Sequence, residues 1–413
     1  MPKGPAVPVS RLPIQTGTGP QLSRRAAPVR PGRLDSIDLL RGLAMVVMAL
    51  DHVRDFFINV RFDPLDLSQT TPYLFLTRWI THHCAPAFVF LAGTGAFLYL
   101  MRGRTRGDLA RFLLSRGLWL VFLELTVVRF AWLFNLDYSF AFVQVIWVIG
   151  WSMVALSGLI FLPRLGLALV SLGMIALHNL TDTVEPASFG PFAWLWQILH
   201  VQSPITWGTE NVLFVIYPLI PWIGVMGAGY LFGSIVLQEE GVRRRKMYTI
   251  GFTLIAGFIF LRAVNIYGDP HPWAVQDSLL TTFLSFLDTH KYPPSLLYLM
   301  MTLGPAIAIL PFLERWEGKA ANFITVFGRV PLFYYVFHLY LIHVLALIAA
   351  RHQLGTFRFL TSNIPFENFP ANYGFSLGTV YLVWIAVIFL LYLPCRWFAR
   401  VKRKSNNPLL SYL

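Results

Sequence analysis

The sequence predicts an all-α, polytopic transmembrane helical bundle of about ten spans with both termini in the cytoplasm. Three observations predict it. Charged residues are 13% of the chain and hydrophobic residues 56%, where a soluble globular domain carries about 25% charge. Apolar segments of spanning length recur along the chain. The basic residues cluster at alternate segment ends, as the positive-inside pattern requires.

Taken in order, residues 1–33 are rich in Pro, Gly and Arg and contain no apolar core of signal-peptide length. They read as a disordered basic cytoplasmic tail whose Arg24, Arg25, Arg30 and Arg33 lie beside anionic lipid. The bundle is expected over 34–400 and a second cytoplasmic tail over 401–413. Its apolar segments fall near 36–57, 83–101, 113–134, 141–162, 165–180, 211–236, 247–266, 293–313, 325–350 and 374–395. Loop 102–116 has five arginines and one aspartate, and loop 237–246 carries Arg243, Arg244, Arg245 and Lys246. With Arg396, Arg400, Lys402, Arg403 and Lys404, these fall on the side of the basic N-terminus. The opposite loops are neutral or acidic. Loop 181–210, aromatic and without Lys or Arg, reads as interfacial or re-entrant.

The net charge of +13 is explained by helix-end orientation signals and does not indicate nucleic acid. Cys84 and Cys395 fall on opposite sides of the membrane and make no disulfide framework. No His-Glu-x-x-His spacing, P-loop or Rossmann glycine pattern is present, so no bound metal or cofactor is expected.

The first segment organises the rest. It is apolar from Leu39 to Leu50 except for Arg41, yet carries Asp38 near its start and Asp51 and His52 near its end. Ionisable side chains at membrane depth mark a site by default. Arg41 and His52, eleven residues apart, share nearly one helix face about 16 Å apart along the axis. Arg41 either pairs with Asp38 or meets an anionic donor, since its fork suits phosphate.

Other unusual polar residues gather at the outer side of this topology. Asp51, His52 and Arg54 end the first span, His82, His83 and Cys84 begin the second, and His290, Lys291 and Tyr292 precede the eighth. His343 lies toward the outer end of the ninth span and His338 mid-span, either satisfied in the bundle or lining a pocket. Such a set suits general acid–base chemistry, because imidazole takes and returns a proton near neutrality. Asp51 is expected to orient His82 rather than its neighbour His52, since adjacent helix residues diverge by about 100°.

Arg33-Leu-Asp-Ser-Ile-Asp-Leu-Leu-Arg-Gly through Asp51-His52 resembles the opening of the heparan-alpha-glucosaminide N-acetyltransferase catalytic-domain family. Thr81-His-His-Cys-Ala-Pro-Ala-Phe-Val-Phe-Leu-Ala-Gly93, Tyr217-Pro-Leu-Ile-Pro-Trp-Ile-Gly224, Lys291-Tyr-Pro-Pro-Ser-Leu296 and Gly328–His343 are similar to later blocks of that family. The resemblance runs from about 33 to 396 and fits bacterial members best. It implies an inner- or plasma-membrane enzyme that takes an acyl group, acetyl in the first instance, from cytoplasmic acyl-CoA as co-substrate. The group passes to a glycan or small-molecule hydroxyl or amine acceptor at the outer face. His82 is then the base with Asp51 and His52 as catalytic partners. Arg41, Arg54, Lys291, Tyr292, His338 and His343 are expected to bind substrate. The partners expected are the bilayer, acyl-CoA, the acceptor and a second copy in a homo-oligomer. The competing classes are a transporter gated by His and Asp, and a non-catalytic membrane scaffold.

Overall fold

The computed structural model describes residues 1–2, 4, 35–364, 366–405, 407 and 410. The expected basic tail with Arg24, Arg25, Arg30 and Arg33 lies outside the described residues, as does most of 406–413.

The elements are α1 (Asp35–Phe57), α2 (Pro72–Thr81), α3 (Cys84–Leu100), α4 (Arg106–Leu123), α5 (Arg129–Leu133), β1 (Phe140–Val143), α6 (Val145–Leu159), α7 (Arg164–Leu177), α8 (Ala193–Leu199), β2 (Ser203–Trp207) and β3 (Asn211–Val215). There follow α9 (Ile220–Val236), α10 (Glu240–Val264), α11 (Leu279–Leu287), α12 (Leu296–Ala308), α13 (Leu310–Leu313), α14 (Lys319–Arg329), α15 (Pro331–Leu354) and α16 (Leu377–Lys404). A π-helical turn, Glu124–Val128, joins α4 to α5.

Helix starts follow the local sequence. Thr71 accepts from the Leu74 N–H ahead of Pro72, Thr105 and Asp108 close a capping box, and Ser295 accepts from the Tyr298 N–H. α1 has Asp35 and Asp38 in its first turn and Arg54 in its last, as the helix dipole favours.

Among the described residues, six helical stretches are long and apolar enough to cross a membrane: Pro72–Leu100, Arg164–Thr181, Glu240–Val264, Leu296–Leu313, Pro331–Leu354 and Leu377–Lys404. Val145–Leu159 and Ile220–Val236 are shorter apolar helices. α1 has the length, at 23 residues, but its charged side chains lower its hydropathy. It lies inside the bundle, with five of those residues partly exposed and Asp35 alone fully so, and touches α2, α3, α13, α14, α15 and α16.

Glycine lets helices cross closely, most tightly at two places. A Cβ on Gly42 would sit 2.2 Å from the Ile324 carbonyl oxygen, and one on Gly328 would sit 1.8 Å from that of Asp38, so α1 and α14 meet backbone to backbone. Gly93 and Gly229 do the same for α3 and α9, each 2.0 Å from a facing carbonyl oxygen.

The structure departs from the sequence reading in three places. The fold is mostly helical but not wholly so, because β1, β3 and β2 form a small sheet. β1 runs parallel to β3 from Phe140↔Val212, and β2 runs antiparallel to β3 from Ser203↔Val215. The β2–β3 hairpin turns through Gly208 at φ +65°, and part of it lies in the loop expected to be interfacial. The segment 325–350 is two helices, because Pro331 cannot continue α14 and starts α15 at N1. The last helix runs on to Lys404, beyond the expected boundary at 400.

Candidate functional site

A cavity of about 420 Å³ opens at the N-terminal end of α1, walled by α1, α3, α4, α6 and α15. This is within the usual range for a ligand site. Arg41, Arg102, Arg116, Arg329 and Lys402 line it, with Asp38 as the acidic residue among them. Deeper, the walls become apolar through Met45, Leu120, Val145 and Ile146, and Tyr335 supplies a hydroxyl. Arg41 lines the cavity and also donates to Asp38 Oδ1 at 3.2 Å and to the Gly328 carbonyl at 3.3 Å. Arg41 thus makes the ion pair with Asp38 and lines the cavity at once.

The helix stripes that line the cavity lead to polar groups just beyond it. On α1 the stripe Asp38, Arg41, Met45 reaches His52. On α15 Tyr335 is followed by His338, and on α4 Arg116 and Leu120 are followed by Glu124. Three of these groups meet. The His52 and His338 rings are 5.2 Å apart, and the Tyr335 ring lies 6.3 Å from His52 and 5.5 Å from His338. Trp132 stands edge-on to His52 at 4.9 Å. All are buried.

Buried polar groups in proteins are normally hydrogen-bonded. Here neither ring nitrogen of His52 has a protein partner among the described residues, nor does His338 Nε2, the Tyr335 hydroxyl, or Glu124 Oε2. His52 Nδ1 lies 3.8 Å from Asp55 Oδ2. His338 Nδ1 is fixed by the Tyr334 carbonyl at 3.0 Å, which leaves Nε2 as its reactive nitrogen.

Asp51 faces away from this group, as its 100° offset from His52 requires. The expected contact, His82 donating a ring N–H to Asp51, is not present. Arg78 Nη1 donates to both carboxylate oxygens at 2.8 and 2.6 Å, Thr81 Oγ1 donates at 2.9 Å, and Arg54 Nη1 lies 2.9 Å away. Two buried guanidiniums out-compete a neutral imidazole for a carboxylate. Arg54 also pairs with Asp55 at 2.6 Å. His82 is buried against Tyr298 at 5.4 Å between ring centroids, and both of its nitrogens lack a partner among the described residues. Its charged neighbours are Lys291, Arg78 and Asp51. The buried Lys291 ammonium sits 5.0 Å from the Tyr292 ring centroid. Burial opposes ionisation of the Tyr292 phenol, but Lys291 and Arg78 outweigh it and hold the group below its ordinary value.

His343 belongs elsewhere. Its Nδ1 and Nε2 lie 2.9 and 3.0 Å from the Ala131 and Leu360 carbonyls, so neither is free for substrate and its expected binding role is not supported. Cys84 and Cys395 are both free and buried.

Glu124, Trp132 and the convergence of Arg116, Arg329 and Lys402 on one rim were not foreseen from sequence. Glu124 had a readable signal, a lone carboxylate inside the apolar run 113–134. The rim had a partial one, because the positive-inside pattern puts loop 102–116 and Lys402 on the side of the N-terminus, though not their meeting with Arg329 around one cavity.

Fold and site together define a helical membrane protein with an internal cavity that runs from a basic rim toward buried proton-handling side chains. The chain belongs to the family described as heparan-alpha-glucosaminide N-acetyltransferase, catalytic, which matches residues 33–267. Membership indicates a membrane acetyltransferase. The match includes α1, the block at 81–93 and the Tyr217–Gly224 stretch, while the Lys291 and Gly328–His343 stretches lie beyond it. No curated protein matches the chain.

Proposed function

We propose that this protein is an integral-membrane acyltransferase of about ten spans, with both termini cytoplasmic. In this reading it moves an acyl group, acetyl in the first instance, from cytoplasmic acyl-CoA to a sugar or other hydroxyl or amine acceptor at the outer face. The observation that carries the reading is the cavity that begins at five basic side chains and leads through Tyr335 toward His52 and His338. Guanidinium forks at the rim suit the phosphates of CoA, and the narrow apolar interior suits its uncharged arm and thioester.

His52 is the general base in this reading, rather than His82, because it lies on the cavity side of α1, with Nε2 open and Nδ1 toward the Asp55 carboxylate at 3.8 Å. It removes the proton from the acceptor as the nucleophile attacks the thioester carbon, and the Trp132 N–H steadies the oxyanion. About 100° round α1 from His52, beside Asp51, His82, Lys291 and Tyr292 hold the far part of the acceptor, and the Asp51–Arg54–Arg78 network fixes that end of the helix.

Thermal unfolding of the detergent-solubilised protein tests the donor assignment. CoA at a hundred times its dissociation constant adds about 2.7 kcal/mol of stability. The melting temperature should therefore rise with CoA, and Arg116→Gln should blunt the rise. A protein that only transported solutes or scaffolded others would be indifferent to CoA, and that result removes the proposal.

A further inference from the structure

The junction between α3 and α4 carries a layered stack at the mouth of the cavity. The Tyr99 and Phe112 rings lie 4.6 Å apart and within 14° of parallel. The Arg104 guanidinium stands 5.7 Å from the Tyr99 ring centre, and that of Arg116 stands 5.9 Å from the Phe112 ring centre. Tyr99 comes from the last turn of α3 and Phe112 from the second turn of α4, which the Thr105–Asp108 capping box starts. Tyr99, Phe112 and Arg116 line the cavity together with Arg102. Packing alone does not call for this stack. Leu109 and Leu113 of α4 are fully buried in the core, whereas both stacked rings stay partly exposed.

Aromatic rings layered with guanidinium planes are a surface for a flat heterocycle, because every base has a π-face and a nearby cation adds to the attraction. The cavity then changes character inward. The stack shares the rim with Arg41, Arg329 and Lys402, and the wall beyond is apolar as far as Tyr335. A base, its phosphates and an uncharged thioester arm need those three surfaces in that order. We infer that Tyr99, Phe112 and Arg116 form a base-stacking subsite that selects a nucleotide-borne thioester over one carried on bare phosphopantetheine or on a carrier protein. The inference rests on the acyltransfer reading above and adds to it the groups that make the choice. All three kinds of donor present the same arm, thioester and adjoining phosphate, so the apolar wall and the cations nearest it meet them alike. Only the nucleotide donor brings a base.

The test compares acetyl-CoA with S-acetyl-phosphopantetheine as donors for the full-length protein in detergent, in wild type, Phe112→Leu and Tyr99→Leu. Leucine keeps apolar volume and removes the π-face. Phe112→Leu should raise KM for acetyl-CoA roughly tenfold, the loss of one stacked base, with kcat for both donors and KM for the truncated donor unchanged. Tyr99→Leu removes the layer behind Phe112 and should act in the same direction, less strongly. An equal rise for both donors, which a merely structural stack predicts, overturns the inference, and so does no rise for either. Should both variants fail to fold, inhibition of acetyl-CoA turnover in the wild-type protein decides. Adenosine bisphosphate should inhibit roughly tenfold more tightly than ribose bisphosphate, which keeps the phosphates and lacks the base; equal inhibition is fatal. If wild type transfers no acetyl group from either donor, the acyltransfer reading falls and takes this inference with it. If it transfers from both and the variants match it, only the stacking subsite fails.

Discussion

Two regions of this molecule bury strongly polar side chains, and they do so in opposite ways. Arg262, 1% exposed, donates to the backbone carbonyls of His271, Ser285, Phe286 and Asp288, and its guanidinium lies 3.7 Å from Asp269. It ties the 269–288 connection to the end of α10. His52 and His338, also buried, leave three of their four ring nitrogens without a hydrogen bond among the described residues. Polar groups buried for stability have their hydrogen-bonding capacity used up by the fold, because an unmade bond costs about 1–3 kcal/mol. Groups that must meet a substrate leave that capacity open. Arg262 belongs to the framework, and the open nitrogens of His52 and His338 are what the acyltransfer reading uses.

The largest expected effect is on the open side of that contrast. His52→Ala should lower kcat for acyl transfer by about 10²–10⁴-fold, the usual contribution of a general base, with little change in melting temperature because no hydrogen bond is lost. His82→Ala, measured beside it, should act mainly on KM for the acceptor. If His82→Ala abolishes turnover and His52→Ala does not, the base lies on the Asp51 side of α1 and the cavity argument is broken.

On the closed side, Arg262→Met should cost about 3 kcal/mol or more, since it strands several buried carbonyls and the Asp269 carboxylate. Thermal or denaturant unfolding in detergent reads the loss, and turnover per folded molecule should be unchanged. A variant as stable as wild type, or one folded but inactive, would erase the distinction between the two regions.

Much of this was legible in the chain. The composition and apolar runs gave a helical membrane bundle, and eleven-residue spacing put Arg41 and His52 on one stripe of α1. The same geometry showed that Asp51 must face another way. It did not show which cation Asp51 would meet, because Arg78 comes from a segment with no periodic link to α1. Glu124 was readable as an isolated carboxylate, but its π-turn was not, since that widening depends on how α4 packs against α6 and α15. The sheet was hidden for a similar reason. Phe140–Val143 and Asn211–Val215 are short apolar runs that merge into neighbouring helical segments, and only their pairing makes them strands.

The smallest expected effect probes the margin of the Arg262 framework. Asp288 is pushed up to about 6, first by burial and then by the nearby carboxylates of Asp269 and Asp63, which Arg262 and His271 only partly offset. Arg262 takes the Asp288 carbonyl rather than its carboxylate, so the side chain gains less from that guanidinium than a direct ion pair would. For an acid raised in the folded state, the native protein binds more protons than the unfolded chain between about pH 4 and 6. Stability therefore falls as pH rises through that window, and the penalty is complete above pH 6. Asp288→Asn removes the ionisation, so the variant should unfold at a higher temperature than wild type at pH 8, by the equivalent of about 1 kcal/mol after solvent screening. The advantage should vanish near pH 4, where wild-type Asp288 is protonated in the folded state. An advantage that persists at pH 4 would mean that the asparagine gains a hydrogen bond, and that this corner of the framework was not closed in the wild-type protein.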